Sequence, residues 1–113
     1  MMRYYHNLYL TENLQKQKEE IIEKLENKKL QLNKYIIVLT ENPANHLEFF
    51  DSVMLKRNMV PQKDLFVVGI TDGYHDALEL VEKITQEVYD NTNGINIRQY
   101  LLEKQREFEE RIV

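Results

Sequence analysis

A short phrase occurs three times in this chain, and its spacing constrains the fold more than any other feature. The phrase reads Leu10-Thr11-Glu12, Leu39-Thr40-Glu41 and Ile70-Thr71-Asp72. Successive threonines are 29 and 31 residues apart, which is the length of one strand followed by one helix. Each copy follows an apolar run and precedes residues with helical spacing. The repeat therefore predicts three consecutive strand-helix units.

The apolar runs and the segments between them define the expected elements. Runs of aromatic, aliphatic or β-branched residues predict strands at Tyr4–Leu10, Tyr35–Leu39 and Leu65–Ile70. Apolar residues at helical spacing predict four helices, over residues 12–32, 43–54, 74–90 and 96–112. Gly94 is expected to end the third helix in a left-handed conformation.

This order of elements predicts a small three-layer α/β domain with the succession β-α-β-α-β-α-α. Strands that alternate with helices favour a parallel sheet with right-handed crossovers, so we expect a three-stranded, mainly parallel sheet. The whole chain, 1–113, is expected to form a single domain. A three-stranded sheet has two edges and little cover for them, which predicts a homo-oligomer, formed either by joining sheets or through the terminal helix.

Composition excludes several classes of protein and of site. The net charge is −4, and the lysines alternate with glutamates, whereas a nucleic-acid-binding protein needs a dense basic face. Cysteine is absent, so disulfides, thiolate metal sites and cysteine nucleophiles are excluded. No apolar run is long enough to span a membrane, and the N-terminal residues lack the pattern of a secretion signal. We therefore expect a cytoplasmic protein that binds neither membranes nor nucleic acid.

In a parallel sheet, the carboxyl ends of all strands meet at one edge, where ligands of open α/β folds bind. The repeated phrases therefore define the candidate ligand-binding residues, which are Thr11, Glu12, Thr40, Glu41, His46, Asp72, Gly73 and His75. The threonines, or the adjacent asparagine and aspartate residues, can instead cap the helices that follow them, and the carboxylates can complement the helix dipoles. Oxygen ligands for Mg²⁺ or Ca²⁺ and phosphate binding at a helix N-terminus are the other interpretations. No spacing typical of a metal site or of a nucleotide-binding loop is present.

No catalytic motif is recognisable, and no particular cofactor is indicated. The favoured function is a self-associating protein-interaction module without catalytic activity. The alternative is a small-molecule, nucleotide or phosphate binder, including an Mg²⁺-dependent enzyme, at the carboxyl edge of the sheet. Seven tyrosines suit the half-buried and interface positions that the favoured function requires.

Overall fold

The computed structural model describes residues 2–40, 46–57 and 65–111. Within these ranges the strands are β1 (Arg3–Leu10), β2 (Lys34–Leu39), β3 (Leu47–Asp51) and β4 (Phe66–Asp72). The helices are a 3-10 helix (Glu12–Gln17), α1 (Lys18–Glu26), α2 (Val53–Lys56), α3 (Tyr74–Thr92) and α4 (Ile97–Arg111). The α/β class is therefore confirmed. The sequence also predicts a loop over residues 58–63, which lies outside the described residues.

The sheet differs from the prediction in the number and direction of its strands. The described residues form a four-stranded sheet with the order β1-β4-β2-β3. β1 pairs parallel with β4, whereas β2 is antiparallel to both β4 and β3. The prediction of a three-stranded, mainly parallel sheet is wrong, because β2 is followed by a hairpin to β3 and not by a crossover helix.

The additional strand occupies part of the predicted second helix. Leu47, Phe50 and Met54 fit helical spacing, but Leu47 to Asp51 pair residue by residue with β2. A short apolar run such as this one satisfies either period, and pairing with an already buried strand favours the extended form. Only α2, which begins at Val53, remains of the predicted helix within the described residues.

The sheet is covered on both faces by helices. One apolar cluster packs β-strand residues against Leu14, Ile21, Leu25 and Leu55, which come from the 3-10 helix, α1 and α2. A second cluster packs the other face against α3 and α4, through Leu80, Ile84, Val88, Ile97 and Leu101. Burial of each such side chain contributes roughly 1.5–3 kcal/mol, so the helices on both faces contribute to stability.

Gly69 in β4 allows α3 to approach the sheet closely. A Cβ atom at this position would lie 3.1 Å from Cδ2 of Leu80 and 3.3 Å from the carbonyl oxygen of Tyr9. The register between β2 and β4 also shifts beside Gly69, which marks a bulge of the kind in which glycine is common. The bulge therefore coincides with a close approach of α3 to the sheet.

The helix ends are shorter or differently formed than expected. The predicted helix over 12–32 begins as a 3-10 helix and ends at Glu26, and Leu32 is 75% exposed. At the end of α3 the left-handed residue is Asn93, with φ of 57°, and not Gly94. Asparagine tolerates this conformation because its short polar side chain bonds locally. No helix in the described ranges is long and apolar enough to cross a lipid bilayer.

Candidate functional site

The three repeated phrases lie at two opposite edges of the sheet. β1 and β4 run in the same direction, so Thr11 and Asp72 follow neighbouring strand ends. β2 runs the other way, which places its first residue, Lys34, beside Asp72. Thr40 consequently lies at the far edge, beyond the pair Leu39 and Phe66. The prediction of one common edge is confirmed for the first and third phrases and wrong for the second.

The Asp72 carboxylate is the centre of a polar cluster at the shared edge. Its oxygens accept hydrogen bonds from the Asn13 side-chain amide at 3.3 Å, the Asn33 side-chain amide at 3.5 Å and the Lys34 ammonium at 3.3 Å. The Asp72 backbone N–H donates to the Thr11 hydroxyl at 3.3 Å. Residues before β2, after β1 and at the end of β4 are thereby joined.

The charge of Asp72 is stabilised by these neighbours. Burial alone would raise the pKa of the carboxyl, but the donated hydrogen bonds, and the positive charge of Lys34, outweigh that effect and hold the pKa below its ordinary value. Asp72 is therefore an ionised anchor whose acceptor positions are largely used within the protein. A general base or a metal ligand would need a free lone pair directed at a substrate or an ion.

Gly73 turns the chain from β4 into α3 directly beside this cluster. Its φ of 104° lies in a region that residues with a Cβ rarely adopt. The Gly73 N–H donates to the Asn33 carbonyl oxygen at 2.7 Å, and Asn33 itself has a φ of 63°. Two unusual backbone conformations therefore meet at this edge and fix the position of Asp72.

Thr11 and Thr71 do not cap the helices that follow them. Thr11 makes no side-chain cap bond to the 3-10 helix, because its hydroxyl accepts the Asp72 N–H. Thr71 is fully buried and donates to the Gly73 carbonyl oxygen at 3.2 Å, and α3 begins without a side-chain cap. The capping interpretation is wrong for these two residues, which instead join neighbouring chain segments.

The remaining candidate residues do not join the Asp72 cluster. His46 lies at the opposite edge, where its Nδ1 accepts hydrogen bonds from the N–H groups of Ile97 at 3.1 Å and Arg98 at 3.4 Å. It thereby caps α4, a role that sequence spacing did not predict. His75 is exposed and contacts Glu79 on the outside of α3 at 2.8 Å. Glu41 lies outside the described residues.

A cavity of about 370 Å³ adjoins the Asp72 cluster, between the end of β1 and α3. It is lined by Leu10, Thr11, Glu12, Asp76, Glu79, Leu80 and Lys83. The three carboxylates outnumber the single ammonium group, so this lining disfavours a phosphate. Within the described ranges, no group of three or more His, Asp or Glu side chains is arranged to hold a metal ion.

A second polar cluster joins β1, α3 and α4. The Glu87 carboxylate accepts hydrogen bonds from the hydroxyls of Tyr9 at 2.8 Å and Tyr100 at 3.2 Å. The ring of Tyr5 stacks on that of Tyr9 at 5.9 Å. Burial, reinforced by the negative charge of Glu87, raises the pKa of Tyr5 to about 12. These hydroxyls stay protonated in the folded protein and fasten the two helices to the strand.

Sequence reasoning missed Asn13, Asn33 and Lys34, the three donors to Asp72. Asn13 directly follows the first phrase, Leu10-Thr11-Glu12, and its position after β1 was a usable signal. Asn33 precedes β2 and Lys34 is its first residue, and both reach this edge only because β2 is antiparallel to β4. Their role could not be inferred while β2 was taken as a parallel strand.

No protein-family model, curated protein or solved structure matches this chain. The function is therefore argued from the chemistry and geometry of the molecule alone.

Proposed function

We propose that this protein is a non-catalytic, self-associating protein-interaction module whose copies join along β3. The supporting observation is that β3 is an outer strand of the sheet and pairs, among the described residues, with β2 alone. An outer strand presents unpaired N–H and C=O groups that can bind a further strand.

Two hydrogen bonds define which backbone groups of β3 face outward. The Thr40 N–H donates to the His46 carbonyl at 3.1 Å, and the Ser52 N–H donates to the Lys34 carbonyl at 2.8 Å. Because bonded and non-bonded pairs alternate in an antiparallel ladder, the even-numbered residues of β3 bond to β2. The backbone groups of Leu47, Phe49 and Asp51 therefore point away from the sheet.

This outer edge is complementary to a second copy of itself. A two-fold axis at Phe49 would place the outward groups of Leu47 opposite those of Asp51 in the second copy, in an antiparallel ladder. The same register places Glu48 opposite Phe50. No acidic side chain then lies directly opposite another, an arrangement that would be destabilising. The joined sheet would have eight strands, with the same helices on each face.

Sedimentation equilibrium of the full chain tests this proposal. We expect the wild-type mass to be twice the chain mass of 13.7 kDa. Leu47→Pro removes an outward N–H and places a ring in the path of the second strand, and proline is tolerated at the first residue of a strand. We expect this variant to sediment as a monomer.

Leu47→Ala is the matched control, because it removes the same side chain but keeps the N–H. We expect it to remain a dimer, and both variants to retain the far-ultraviolet circular dichroism of the wild type. A monomeric wild type, or equal masses for a folded Leu47→Pro and Leu47→Ala, would contradict pairing along β3.

The cavity beside Thr11 and Glu12 supports the second candidate function, which is binding of a small ligand. The excess of carboxylates fits a small organic cation better than a nucleotide. Thermal unfolding with Mg²⁺, a nucleotide panel and a set of amines tests this candidate. A ligand at 100 times its dissociation constant adds about 2.7 kcal/mol to the free energy of unfolding. If none of these ligands stabilises the protein, the ligand-binding function is rejected and only the first proposal remains.

A further inference from the structure

We infer that one partly exposed flank of α3 binds a basic amphipathic helix of another protein. The first observation is the distribution of charge. α3 contains five acidic residues and one lysine, so this single helix has a net charge of −4, which equals that of the whole chain. The remaining residues balance, with 14 acidic and 14 basic side chains. The protein's negative charge is thus concentrated on one helix.

The second observation is an exposed apolar stripe along the same helix. The stripe consists of Tyr74, Leu78, Val81, Thr85 and Tyr89, together with Ile95 beyond the helix end. The first four positions follow the spacing of one helix face. Tyr74, Tyr89 and Ile95 are 56%, 51% and 66% exposed. An apolar stripe of this length on an exposed helix is typical of an interaction surface.

Aromatic side chains of β2 and β3 contact one end of the stripe, and a groove adjoins its other end. At one end, the Tyr74 ring contacts Phe49 at 5.5 Å and Tyr35 at 5.9 Å. At the other end, a groove of about 440 Å³ is lined by Val81, Glu82, Thr85, Gln86, Tyr89 and Ile95. The Thr85 hydroxyl donates to the Val81 carbonyl at 2.8 Å, so it is already satisfied and does not oppose an apolar ligand.

Acidic side chains border the groove. Glu82 lines it directly, and Asp90 is held close by a hydrogen bond of 2.8 Å from the Gln86 side chain. The one lysine of the helix, Lys83, lines the cavity on the β1 side instead. The groove therefore combines an apolar floor with two nearby acidic side chains and no basic one in its described lining. The other three carboxylates of α3 lie on its β1 side, where Asp76 and Glu79 line the cavity and Glu87 bonds to Tyr9.

The apolar floor and the acidic side chains beside it determine which kind of partner the groove can bind. Packing the stripe on its equivalent in a second copy would bring Glu82 and Asp90 of one helix near those of the other, with no basic side chain in the described groove lining to offset them, which opposes association. A helix with apolar residues on one side and lysine or arginine at their flanks satisfies both the groove and its border, as in helix-in-groove recognition. α3 has 19 residues and is about 28 Å long, so it can accommodate several turns of such a partner.

Two synthetic helical peptides with the same leucine positions test the inference. One has lysine and the other glutamate at every remaining position. Fluorescence anisotropy of the labelled peptides measures binding to the full-length protein at low and high salt. We expect the lysine peptide to bind, to bind more weakly at high salt, and to bind at least about tenfold more tightly than the glutamate peptide.

Variants locate the binding surface. Leu78→Asp and Glu82→Lys should each weaken the lysine peptide by about tenfold or more. Glu19→Lys makes the same charge change on the exposed side of α1 and should leave binding nearly unchanged. Circular dichroism of each variant verifies that it is folded.

The inference is overturned if folded Leu78→Asp and Glu82→Lys bind as the wild type does, or if both peptides bind equally. It is also overturned if Leu78→Asp halves the sedimenting mass, because the stripe would then be an interface between copies. Binding by the Leu47→Pro variant separates the two proposals. Loss of self-association with retained peptide binding supports a surface on α3 that is independent of β3.

Discussion

The two outer strands of the sheet, β1 and β3, differ in how the backbone groups of their outer edges are covered. α4 covers β1: the Gln105 side chain accepts the His6 backbone N–H at 2.7 Å. Gln105 is itself buried, and the Phe108 ring stacks on the His6 ring at 4.4 Å. The free backbone edge of β1 is thereby blocked by a helix from the same chain.

β3 has no equivalent cover in the parts of the chain that the structure describes. α2 follows it directly, and the contact there is the Val53 N–H donating to the Asp51 carboxylate at 3.0 Å. No helix bonds to the outward backbone groups of Leu47 or Phe49 among these residues. The comparison teaches that α4 covers the outer edge of β1, whereas no described residue covers that of β3, where we propose that copies pair.

The largest expected effect comes from detaching the helix that covers β1. Leu101 is fully buried on α4, and Leu101→Ala should lower the free energy of unfolding by about 2–5 kcal/mol. Leu102 lies next to it and is 38% exposed, so Leu102→Ala should cost less than about 0.5 kcal/mol. Urea unfolding measures both values, and equal losses would contradict the docking of α4 described above.

A smaller effect is expected from opening the β1 edge while α4 remains in place. Gln105→Leu leaves the His6 N–H without its acceptor, which should cost about 1–3 kcal/mol. Gln105→Glu keeps an acceptor oxygen for the His6 N–H but loses the hydrogen bond that the amide donates to Glu109 at 3.1 Å, so it should protect the His6 amide better than Gln105→Leu while remaining less stable than the wild type. Hydrogen exchange of the His6 amide gives the direct measurement. If that amide exchanges equally slowly in the wild type and in Gln105→Leu, the side chain does not protect this edge.

The smallest and most selective effect concerns Tyr5 of β1, and it appears only at alkaline pH. Tyr5 keeps its proton to a higher pH when folded than when unfolded, so its contribution is complete below pH 10 and is lost as the pH rises towards about 12. Urea unfolding at about pH 9 and about pH 11 should show lower stability at the higher value. Tyr5→Phe should reduce this dependence, and an unchanged pH profile in that variant would contradict the assignment.

The sequence predicted the positions of the strands and helices along the chain better than it predicted which of them lie next to each other in the fold. The strands that became β1, β2 and β4 and the helices that became α3 and α4 were predicted within a few residues. Each is a long or strongly patterned segment in which one period dominates. Residues 47–51 were assigned to a helix because five residues satisfy both periods, and only pairing with β2 distinguishes them.

The candidate site was predicted only in part, because the sequence pattern does not show which strands pair or in which direction. Thr11 and Asp72 were expected to meet and do so, because β1 and β4 are parallel. Thr40 and His46 were expected beside them and lie at the far edge. The direction of β2 determines this difference, and direction depends on contacts between distant residues that local patterns do not record. The three donors to Asp72 were missed as a consequence.

The bond between His6 and Gln105 also has a consequence for the order of events during protein synthesis. The two residues are 99 positions apart, and β4, the pairing partner of β1, begins only at Phe66. A ribosome adds about 5–20 residues each second. β1 therefore waits several seconds for its pairing partner β4 and longer still for its cover by α4. During that interval only the side of β1 that packs on α1, where Tyr4 bonds to Glu26, has its native neighbours.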